Sequence, residues 1–482
     1  MRETDVAIIG TGFGGLGMAI QLKKQGTPFI LFEQAAEVGG TWRDNTYPGA
    51  ACDIYSHLYS FSFELNPGWS SMYGKQGEIQ DYLEHCAKKY EVLSNTLFNA
   101  KVVGARFDQE AGRWVIELID GTKYRARYVV SATGGLSRPK LPTFDGLDTF
   151  TKPAFHSATW RHDVDLTNKR VAVVGTGASA IQLIPQLAKT VEKLFVFQRT
   201  PAWVIEKDDR PIGSSEQQLY KKLPLLQRLY RWGLYWSLEW RVIAFVKYPQ
   251  LASLAQKEAE KYLRKVVSSP ELRRKLTPDY TFGCKRVLLA NDYYPALQQP
   301  NVELVTDGID KFSPSSIVAN DGVSREIDAV VFCTGFDAAE NVVPFEIYGL
   351  DGASLDDNWR NGAEAYLGTT VHGFPNWYFV VGPNTGLGHN SMVFIIESQI
   401  AYIRSCMREI EKRQAKYADV LPRIQSDFND SLQRRMNGTV WKSGCQSWYQ
   451  TSDGKVTTLW PSFSAEFRIR TRKMRPHDYV FV

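Results

Sequence analysis

Two stretches of the chain share one order of apolar and polar positions: an apolar run, a glycine-rich turn, an amphipathic segment and a second apolar run. They are DVAIIGTGFGGLGMAIQLKKQGTPFILFEQ, residues 5–34, and RVAVVGTGASAIQLIPQLAKTVEKLFVFQRT, residues 170–200. Short apolar runs predict buried strands, and apolar residues at helical spacing between them predict a helix. Each stretch therefore predicts a strand–helix–strand unit of a parallel sheet.

The turn of the first unit places Gly10, Gly12 and Gly15 in the pattern G-x-G-x-x-G. The first glycine allows a tight turn, the second lets a pyrophosphate approach the backbone, and the third lets the helix pack on the strand. Glu33 follows 21 residues after Gly12, where a carboxylate accepts from ribose hydroxyls. The unit predicts a site for a nucleotide with free ribose hydroxyls, such as FAD. A glycine turn that binds nothing is the alternative.

The second unit repeats the turn with Gly175, Gly177 and Ala180, and alanine is an accepted third member. Its second strand ends before Arg199 and Thr200, and no acid stands there. A guanidinium suits a 2′-phosphate, because its forked donors match phosphate oxygens. The second unit therefore predicts a site for NADPH; the alternative for Arg199 is a solvated residue at a strand end.

Three further apolar runs end in small or polar residues: YVVSATGG from residue 128, DAVVFCTGFDA from residue 328 and WYFVVGPNTGLGHNS from residue 377. Strand ends of this kind face the ligand crevice of a doubly wound sheet. The third run is expected to return the chain to the first domain. Ordinary strand-to-turn connections are the alternative for all three.

Residues 205–280 contain no nucleotide-binding pattern but have apolar and aromatic residues at helical spacing, with charges between them. They predict a helical insert that packs over the cleft, because Glu239 and Arg241 interrupt the apolar face. The alternative is an aromatic, partly basic helix that lies on a membrane surface and collects lipophilic substrates.

The predicted fold is α/β, with two Rossmann-like dinucleotide-binding domains, for FAD and NADP, and a helical insert in the second. The expected division is residues 1–145 for the first part of the FAD domain, 146–165 for a linker, 166–204 and 281–340 for the NADP domain, 205–280 for the insert, and 341–482 for the return to the FAD domain and a C-terminal segment.

Composition narrows the class of protein further. The 482 residues include 57 basic and 52 acidic ones, a net charge of +5, without the basic tract of a nucleic-acid-binding protein. The start of the chain shows no secretion signal, and no apolar run is long enough to span a bilayer, so a cytoplasmic protein is expected. No pattern sets its oligomeric state.

The chain contains six cysteines, and none forms a CxxC pair. They are Cys52, Cys86, Cys284, Cys333, Cys406 and Cys445. Without paired spacing they are expected to be scattered free thiols in a reducing compartment, with neither a disulfide framework nor a metal site.

The segment GGTWRDNTYPGAACD, residues 39–53, resembles a fingerprint of the Baeyer-Villiger monooxygenases, [A/G]-G-x-W-x4-[F/Y]-P-[G/M]-x3-D. Every fixed position is filled, by Gly39, Gly40, Trp42, Tyr47, Pro48, Gly49 and Asp53. Such a match is highly specific. The resemblance to the family runs from about residue 5 to about residue 400 and is interrupted by the helical insert.

A second fingerprint of the family, F-x-G-x3-H-x3-W-[P/D], resembles FTKPAFHSATW, residues 150–160. Phe150, His156 and Trp160 match, whereas Lys152 stands in place of glycine and Arg161 in place of proline or aspartate. Related flavin N- and S-monooxygenases end this fingerprint in tyrosine or phenylalanine, so Trp160 points away from them. We expect His156 and Trp160 to be domain-coupling residues whose ring N–H groups tie the linker to both domains.

The segment FGCKR, residues 282–286, resembles the family segment whose arginine is catalytic. The resemblance assigns that role to Arg286, with Asp53 as its carboxylate partner, and assigns Lys285 to the NADP phosphate. It also implies that Gly40, Trp42 and Tyr59 lie at the FAD, although core packing is an alternative for Tyr59.

The family implies that NADPH reduces FAD and that one oxygen atom of O2 is inserted next to a ketone carbonyl, giving an ester or lactone. Within enzymes, a flavin N- or S-oxygenase or a hydroxylase of lipophilic substrates is the alternative. A redox protein that binds nucleotides without oxygenating a substrate is the alternative of another class.

Overall fold

The computed structural model describes residues 1–337, 343–445 and 447–482. Within them the first of two large sheets has eight strands. In spatial order seven are Glu346–Tyr348, Val102–Asp108, Arg113–Leu118, Lys123–Ser131, Arg2–Ile9, Phe29–Phe32 and Thr96–Leu97, and the eighth, Trp377–Phe379, pairs with Lys123–Ser131. The third apolar run thus returns the chain to the first sheet, as expected.

The second large sheet has five strands in the described part of the chain, and all of them are parallel. In spatial order they are Val302–Val305, Lys193–Phe197, Arg170–Val174, Ala329–Phe332 and Ala154–His156. The last of these lies inside the expected linker 146–165. The middle of that linker is therefore an edge strand of the second sheet, with Phe155 buried in the core beneath it.

The residues that the structure describes also form several smaller sheets. They are the antiparallel group Ile309–Ser313, Ser316–Ala319 and Ser324–Glu326, and the pairs Ala51–Tyr55 with Tyr73–Lys75, Val204–Ile205 with Leu288–Leu289, and Ala418–Val420 with Tyr479–Phe481. The pair Val204–Ile205 and Leu288–Leu289 is parallel and brings together the two ends of the insert.

The α-helices outside the insert are Phe13–Gln25, Thr41–Asp44, Gln76–Lys89, Ala178–Leu187, Tyr293–Ala296, Leu355–Asn358, Met392–Lys412, Pro422–Met436 and Ser464–Arg470. The insert contains Ser214–Lys222, Pro224–Glu239, Ala252–Val266 and Pro270–Leu276, with a π-helical turn at Ile243–Lys247. None of the helices in the described ranges is long and apolar enough to cross a membrane.

The continuous apolar runs at the two central strands reflect burial on both sheet faces. Val6 and Ile8 pack into one core cluster, whereas Ala7 and Ile9 pack into another on the opposite face. The strand Arg170–Val174 divides its residues in the same way. Alternate side chains of a strand point to opposite faces, so a strand with helices or loops on both faces is apolar throughout.

The fold confirms the predicted α/β class with two glycine-loop sheets and a helical insert. The domain boundaries stay a prediction, and the one between residues 340 and 341 lies outside the described residues.

The expectation that all six cysteines are free thiols is wrong. Cys284 and Cys445 form a disulfide with their Cα atoms 6.3 Å apart, although 161 residues separate them in the chain. The other four cysteines are free and buried. Two cysteines so far apart show no spacing pattern, because only the folding of the C-terminal segment onto residues 282–286 brings them together.

Candidate active site

The first glycine loop has the geometry of a phosphate cradle. Gly10 has φ +101°, and a Cβ there would lie 2.6 Å from the carbonyl oxygen of Ala132. A Cβ on Gly15 would collide with the carbonyl oxygen of Gly10, so the helix Phe13–Gln25 packs directly on the turn. A Cβ on Gly12 would meet only the Cα of Gly40, at 3.9 Å. The open side of Gly12 and the helix N-terminus fit a pyrophosphate group.

Glu33 lies directly after the strand Phe29–Phe32 and is buried. Its Oε2 accepts a hydrogen bond from the backbone N–H of Thr11 at 3.1 Å, and its Oε1 accepts one from the N–H of Ala35 at 2.9 Å. Nη1 of Arg43 lies 3.0 Å from the same Oε1. The carboxylate is thus held rigidly beside the first loop, where an FAD ribose would lie. Arg43 was not predicted, although it directly follows the fingerprint residue Trp42.

Trp42 of the first fingerprint and Tyr59 lie beside the start of the first helix. Nε1 of Trp42 donates a hydrogen bond to the hydroxyl of Tyr59 at 3.2 Å. The Tyr59 ring lies edge-on to Phe13, with ring centroids 5.1 Å apart. Burial raises the pKa of Tyr59, so its hydroxyl stays protonated at physiological pH. Together with Gly40, whose backbone approaches Gly12, these residues form a wall beside the phosphate cradle.

The second glycine loop has the same backbone form. Gly175 has φ +113° and faces the carbonyl oxygen of Cys333, just as Gly10 faces Ala132. A Cβ on Gly177 would meet no atom within 4 Å, which leaves that side open. Ala180 lies on the helix Ala178–Leu187 and is completely buried in the core. An alanine therefore fits the third position here.

A cavity of about 350 Å³ opens beside the end of the strand Lys193–Phe197. Its lining includes Arg199 and Thr200, together with Arg274 and Lys275 from the insert helix Pro270–Leu276. Several cations at one cavity suit a phosphate ligand. The two insert residues were not predicted, because nothing in the sequence indicates that this helix folds back onto the nucleotide unit.

Arg286 and Asp53 are in direct contact. Nε and Nη2 of Arg286 both donate to Oδ2 of Asp53, at 2.9 Å and 2.5 Å. The Asp53 carboxylate raises the pKa of Arg286 above its already high value, so the guanidinium stays charged. The two side chains are 31% and 29% exposed, so the pair is half-buried.

Lys285, the neighbour of Arg286, is directed toward the second nucleotide unit. Burial lowers the pKa of Lys285, and the positive charge of Arg199 lowers it further. Its Nζ lies 4.7 Å from the centre of the Tyr280 ring. Two adjacent residues thus have different electrostatic neighbours: the Asp53 carboxylate attracts Arg286, whereas the charge of Arg199 repels Lys285.

The model of the flavin-binding monooxygenase-like family matches residues 3–345. The chain belongs to this family. A Baeyer-Villiger monooxygenase of Pseudomonas aeruginosa is 47% identical over 481 residues, which cover 99% of this chain and 91% of that protein. Another, of Streptomyces coelicolor, is 46% identical over 98% of this chain and 92% of that protein. These relatives confirm the predicted resemblance to Baeyer-Villiger monooxygenases.

Solved structures agree with that assignment. Cyclohexanone monooxygenase from Rhodococcus sp. Phi1 bound to NADP⁺ has a TM-score of 0.90 and 28% identity, and the match covers 100% of this chain and 99% of that one. This similarity covers the whole chain, so it includes the insert and the C-terminal segment.

The sequence did not identify Tyr449 as a residue of the monooxygenase site. The Tyr449 side chain is buried and interacts with the Arg286 guanidinium. Burial raises the pKa of Tyr449, and the charge of Arg286 opposes that rise. The disulfide from Cys445 to Cys284 ties the segment that carries Tyr449 to the one that carries Arg286. The sequence indicated this only through the two cysteines, which gave no pairing pattern.

Gln182 joins the two nucleotide units and was also missed. The hydroxyl of Tyr47 donates to Oε1 of Gln182 at 2.8 Å, and Nε2 of Gln182 donates to the carbonyl of Ala51 at 2.9 Å. Tyr47 and Ala51 lie in or beside the first fingerprint, whereas Gln182 lies on the helix of the second glycine loop. One glutamine therefore bridges the two halves of the monooxygenase.

His156 lies on the edge strand Ala154–His156 of the second sheet. Its Nδ1 accepts a hydrogen bond from the backbone N–H of Ala158 at 3.1 Å, and its ring lies edge-on to Phe336. Trp160 packs edge-on against Phe155. These contacts belong to the second sheet and its surroundings, and a neutral ring whose Nδ1 accepts carries its N–H group on Nε2. The domain-coupling role of the two residues stays a prediction.

Proposed function

We propose that this protein is an NADPH-dependent FAD monooxygenase that inserts one oxygen atom of O2 next to a ketone carbonyl, giving an ester or lactone. The contact of Arg286 with Asp53 is the observation that carries the proposal. It holds a permanent cation at the strand Ala51–Tyr55, which Gln182 joins to the helix of the second glycine loop.

The residues fit both cofactors. We assign FAD to Gly10, Gly12, Gly15, Glu33, Gly40, Trp42, Asp53 and Tyr59, and NADP to Gly175, Gly177, Ala180, Arg199, Thr200 and Lys285. The open side of Gly12 and the buried carboxylate of Glu33 support the first assignment, and the cationic cavity at Arg199 supports the second. Bound FAD, reduced by NADPH, supplies the chemistry of O2 activation.

Arg286 would stabilise the negative charge that develops on oxygen while the ketone is attacked. A guanidinium keeps its proton at any physiological pH, so it donates without losing charge. Asp53 would orient the guanidinium and offset the cost of burying it. A preorganised donor in a site with little water is usually a large contribution to catalysis, and removing one costs about 100-fold or more.

The test is ester formation by Arg286→Ala and Asp53→Asn, each purified with FAD bound. We expect the yield of ester to fall about 100-fold in Arg286→Ala, while NADPH oxidation continues and releases hydrogen peroxide. Arg423→Ala is the matched control, because Arg423 is 89% exposed on the helix Pro422–Met436. An ester yield equal to that of the unchanged protein would remove Arg286 from the reaction.

A panel of linear, cyclic and aryl ketones, supplied with NADPH and air and followed by gas chromatography, tests the reaction itself. Conversion to esters supports the proposal, and exclusive oxidation of amines or sulfides contradicts it. A cytoplasmic location stays a prediction.

A further inference from the structure

The insert helix Pro224–Glu239 presents large apolar side chains to solvent. Leu225, Leu229 and Trp232 are 68%, 57% and 64% exposed, and Trp240, directly after the helix, is 59% exposed. Their spacing of four, three and eight residues puts them on one face of the helix. We call these four residues the outer face. A helix at a protein surface normally turns such a face toward the core, so this helix has the opposite orientation.

Polar contacts hold the inner side of the helix. Nε2 of Gln227 lies 3.0 Å from Nδ1 of His57, and both side chains are buried. Nη1 of Arg231 donates to the carbonyl oxygens of His57 and Leu58, at 2.7 Å and 3.0 Å. These bonds tie the helix to the loop that follows the strand of Asp53.

Glu239, at the end of the helix, is completely buried. It accepts hydrogen bonds from Ser464 Oγ at 2.7 Å and from the backbone N–H of Ala465 at 3.0 Å, and it lies 3.3 Å from Nε2 of His389. Turning the helix to bury the outer face would leave these buried polar groups without partners, which is strongly unfavourable. The exposed position of Trp232 is therefore built into the fold.

Exposed basic residues lie before, on and after the helix in the sequence. Between Gln217 and Lys257 the solvent-exposed charged residues are Lys221, Lys222, Arg228, Arg241, Lys247 and Lys257. None of the six takes part in an ion pair within the residues that the structure describes. The one acid in this stretch of sequence is the buried Glu239. The partner of this surface should therefore be apolar and negatively charged.

We propose that the outer face docks onto the surface of a bilayer that contains anionic phospholipids. Leucine and tryptophan side chains would enter the boundary between headgroups and acyl chains, where tryptophan is favoured, and the basic residues would contact lipid phosphates. The helix lies in the plane of the interface; it does not span the bilayer.

The position of the outer face gives the docking a use. On the inner side of the same helix, Tyr235 and Leu238 pack against Leu58, with Ile54 and Tyr55 beside them. Ile54 and Tyr55 belong to the strand that carries Asp53. A bilayer at the outer face would thus lie one helix diameter from the proposed site and could deliver lipophilic ketones to it. The docking itself does not depend on the proposed reaction.

The experiment is co-sedimentation of the FAD-loaded protein with vesicles of phosphatidylcholine mixed with phosphatidylglycerol, and with vesicles of phosphatidylcholine alone. We expect the protein to bind the mixed vesicles, and to bind vesicles of phosphatidylcholine alone at least about tenfold more weakly. Binding to the mixed vesicles should decrease as salt is added. Absence of binding to the mixed vesicles at low salt would overturn the proposal.

Two double variants separate the apolar and electrostatic contributions. Leu229→Gln with Trp232→Gln should weaken binding about 100-fold, because two side chains no longer enter the apolar layer. Lys221→Glu with Lys222→Glu should weaken binding to the mixed vesicles by tenfold or more and leave phosphatidylcholine binding unchanged. Ile119→Gln is the control, since Ile119 is 64% exposed in the turn that follows the strand Arg113–Leu118, outside the insert. Equal binding by all variants would overturn the proposal.

The competing occupant is a second copy of the chain, and light scattering distinguishes it. If the protein forms a dimer that Leu229→Gln with Trp232→Gln dissociates, and vesicles bind neither form, the outer face is a subunit interface and the bilayer proposal fails. The flavin absorbance of every variant, together with ester formation in detergent without vesicles, shows separately whether the enzyme is intact.

Discussion

Glu239 and His389 form a completely buried pair, with Oε2 of Glu239 3.3 Å from Nε2 of His389. The acid comes from the insert and the histidine from the loop before the helix Met392–Lys412, and Ser464 of the C-terminal segment bonds the same oxygen. One carboxylate thus holds together three parts of the chain. Burial by itself raises the pKa of Glu239, but hydrogen bonds from His389, Ala465 and Ser464 outweigh it and lower that pKa to about 2.

This pair predicts a pH-dependent contribution to stability. An unfolded glutamate takes up its proton near pH 4.5, so the stabilisation is complete above that pH and is lost as pH falls toward 2. Glu239→Gln should lower the free energy of unfolding by ~3 kcal/mol at neutral pH, and the difference from the unchanged protein should shrink below pH 4.5. Urea denaturation at a series of pH values measures this.

Glu258→Gln is the control for Glu239, because Glu258 is 74% exposed on the insert helix Ala252–Val266. We expect it to follow the unchanged protein at every pH. A constant difference for Glu239→Gln from neutral to acid pH would contradict the assignment.

The cavity at Arg199 predicts discrimination between NADPH and NADH. Removing a guanidinium that binds the 2′-phosphate should weaken NADPH binding about 10- to 100-fold and change NADH binding little. We expect this of Arg199→Ala, measured as the dissociation constant of NADP⁺ by calorimetry and as the KM of each cofactor. Arg274→Ala, on the other wall of the same cavity, tests whether the insert contributes to the preference. An equal loss for both cofactors would show that Arg199 does not read the phosphate.

The disulfide predicts a countable number of thiols. Alkylation of the denatured protein should modify four cysteines without reductant and all six after reduction. Because the bond closes a long loop, Cys445→Ser should lower the free energy of unfolding by about 3–5 kcal/mol and expose the segment around Tyr449 to proteases. Cys406→Ser is the control, because this variant keeps the disulfide and should still gain two reactive thiols on reduction. Six reactive thiols without reductant would contradict the pairing.

Loss of the bridge through Gln182 should slow the reduction of bound FAD by NADPH across the two nucleotide units. Gln182→Leu removes its bonds to Tyr47 and Ala51, at about 1 kcal/mol each. We expect reduction of bound FAD by NADPH, followed by stopped-flow absorbance, to slow by roughly tenfold while FAD stays bound. Lys189→Ala, directly after the same helix, is the control, because Lys189 is exposed and its Nζ bonds Gln186 rather than the first fingerprint. An unchanged rate would remove Gln182 from the coupling.

The same measurement applies to the second fingerprint. His156→Ala should slow turnover while FAD remains bound, because the ring is packed in the second sheet and far in sequence from the first loop. Absorbance of the purified variant gives its flavin content. Loss of FAD from His156→Ala would assign this residue to the flavin site instead.

Local patterns were enough to predict both nucleotide units, whereas the pairing of Arg286 with Asp53 was predicted from the family resemblance. A glycine with φ above +100° at Gly10 or Gly175, and a buried strand before it, depend on neighbours in the chain, so they leave a readable pattern. The resemblance then connected two distant residues that spacing alone does not connect. The helical insert was recognised because apolar residues at helical spacing are also a local pattern.

Contacts between distant segments were decided only by the tertiary structure. The bond between Cys284 and Cys445, the approach of Tyr449 to Arg286 and the bridge through Gln182 all join parts of the chain that carry no shared local pattern. The orientation of the helix Pro224–Glu239 also depends on contacts with distant segments. Its apolar spacing predicted a helix that packs over the cleft, but only the hydrogen bonds of Gln227, Arg231 and Glu239 determine which side of the helix faces inward. Periodicity determines which side chains share a face, whereas the partners available to buried polar groups determine where that face points.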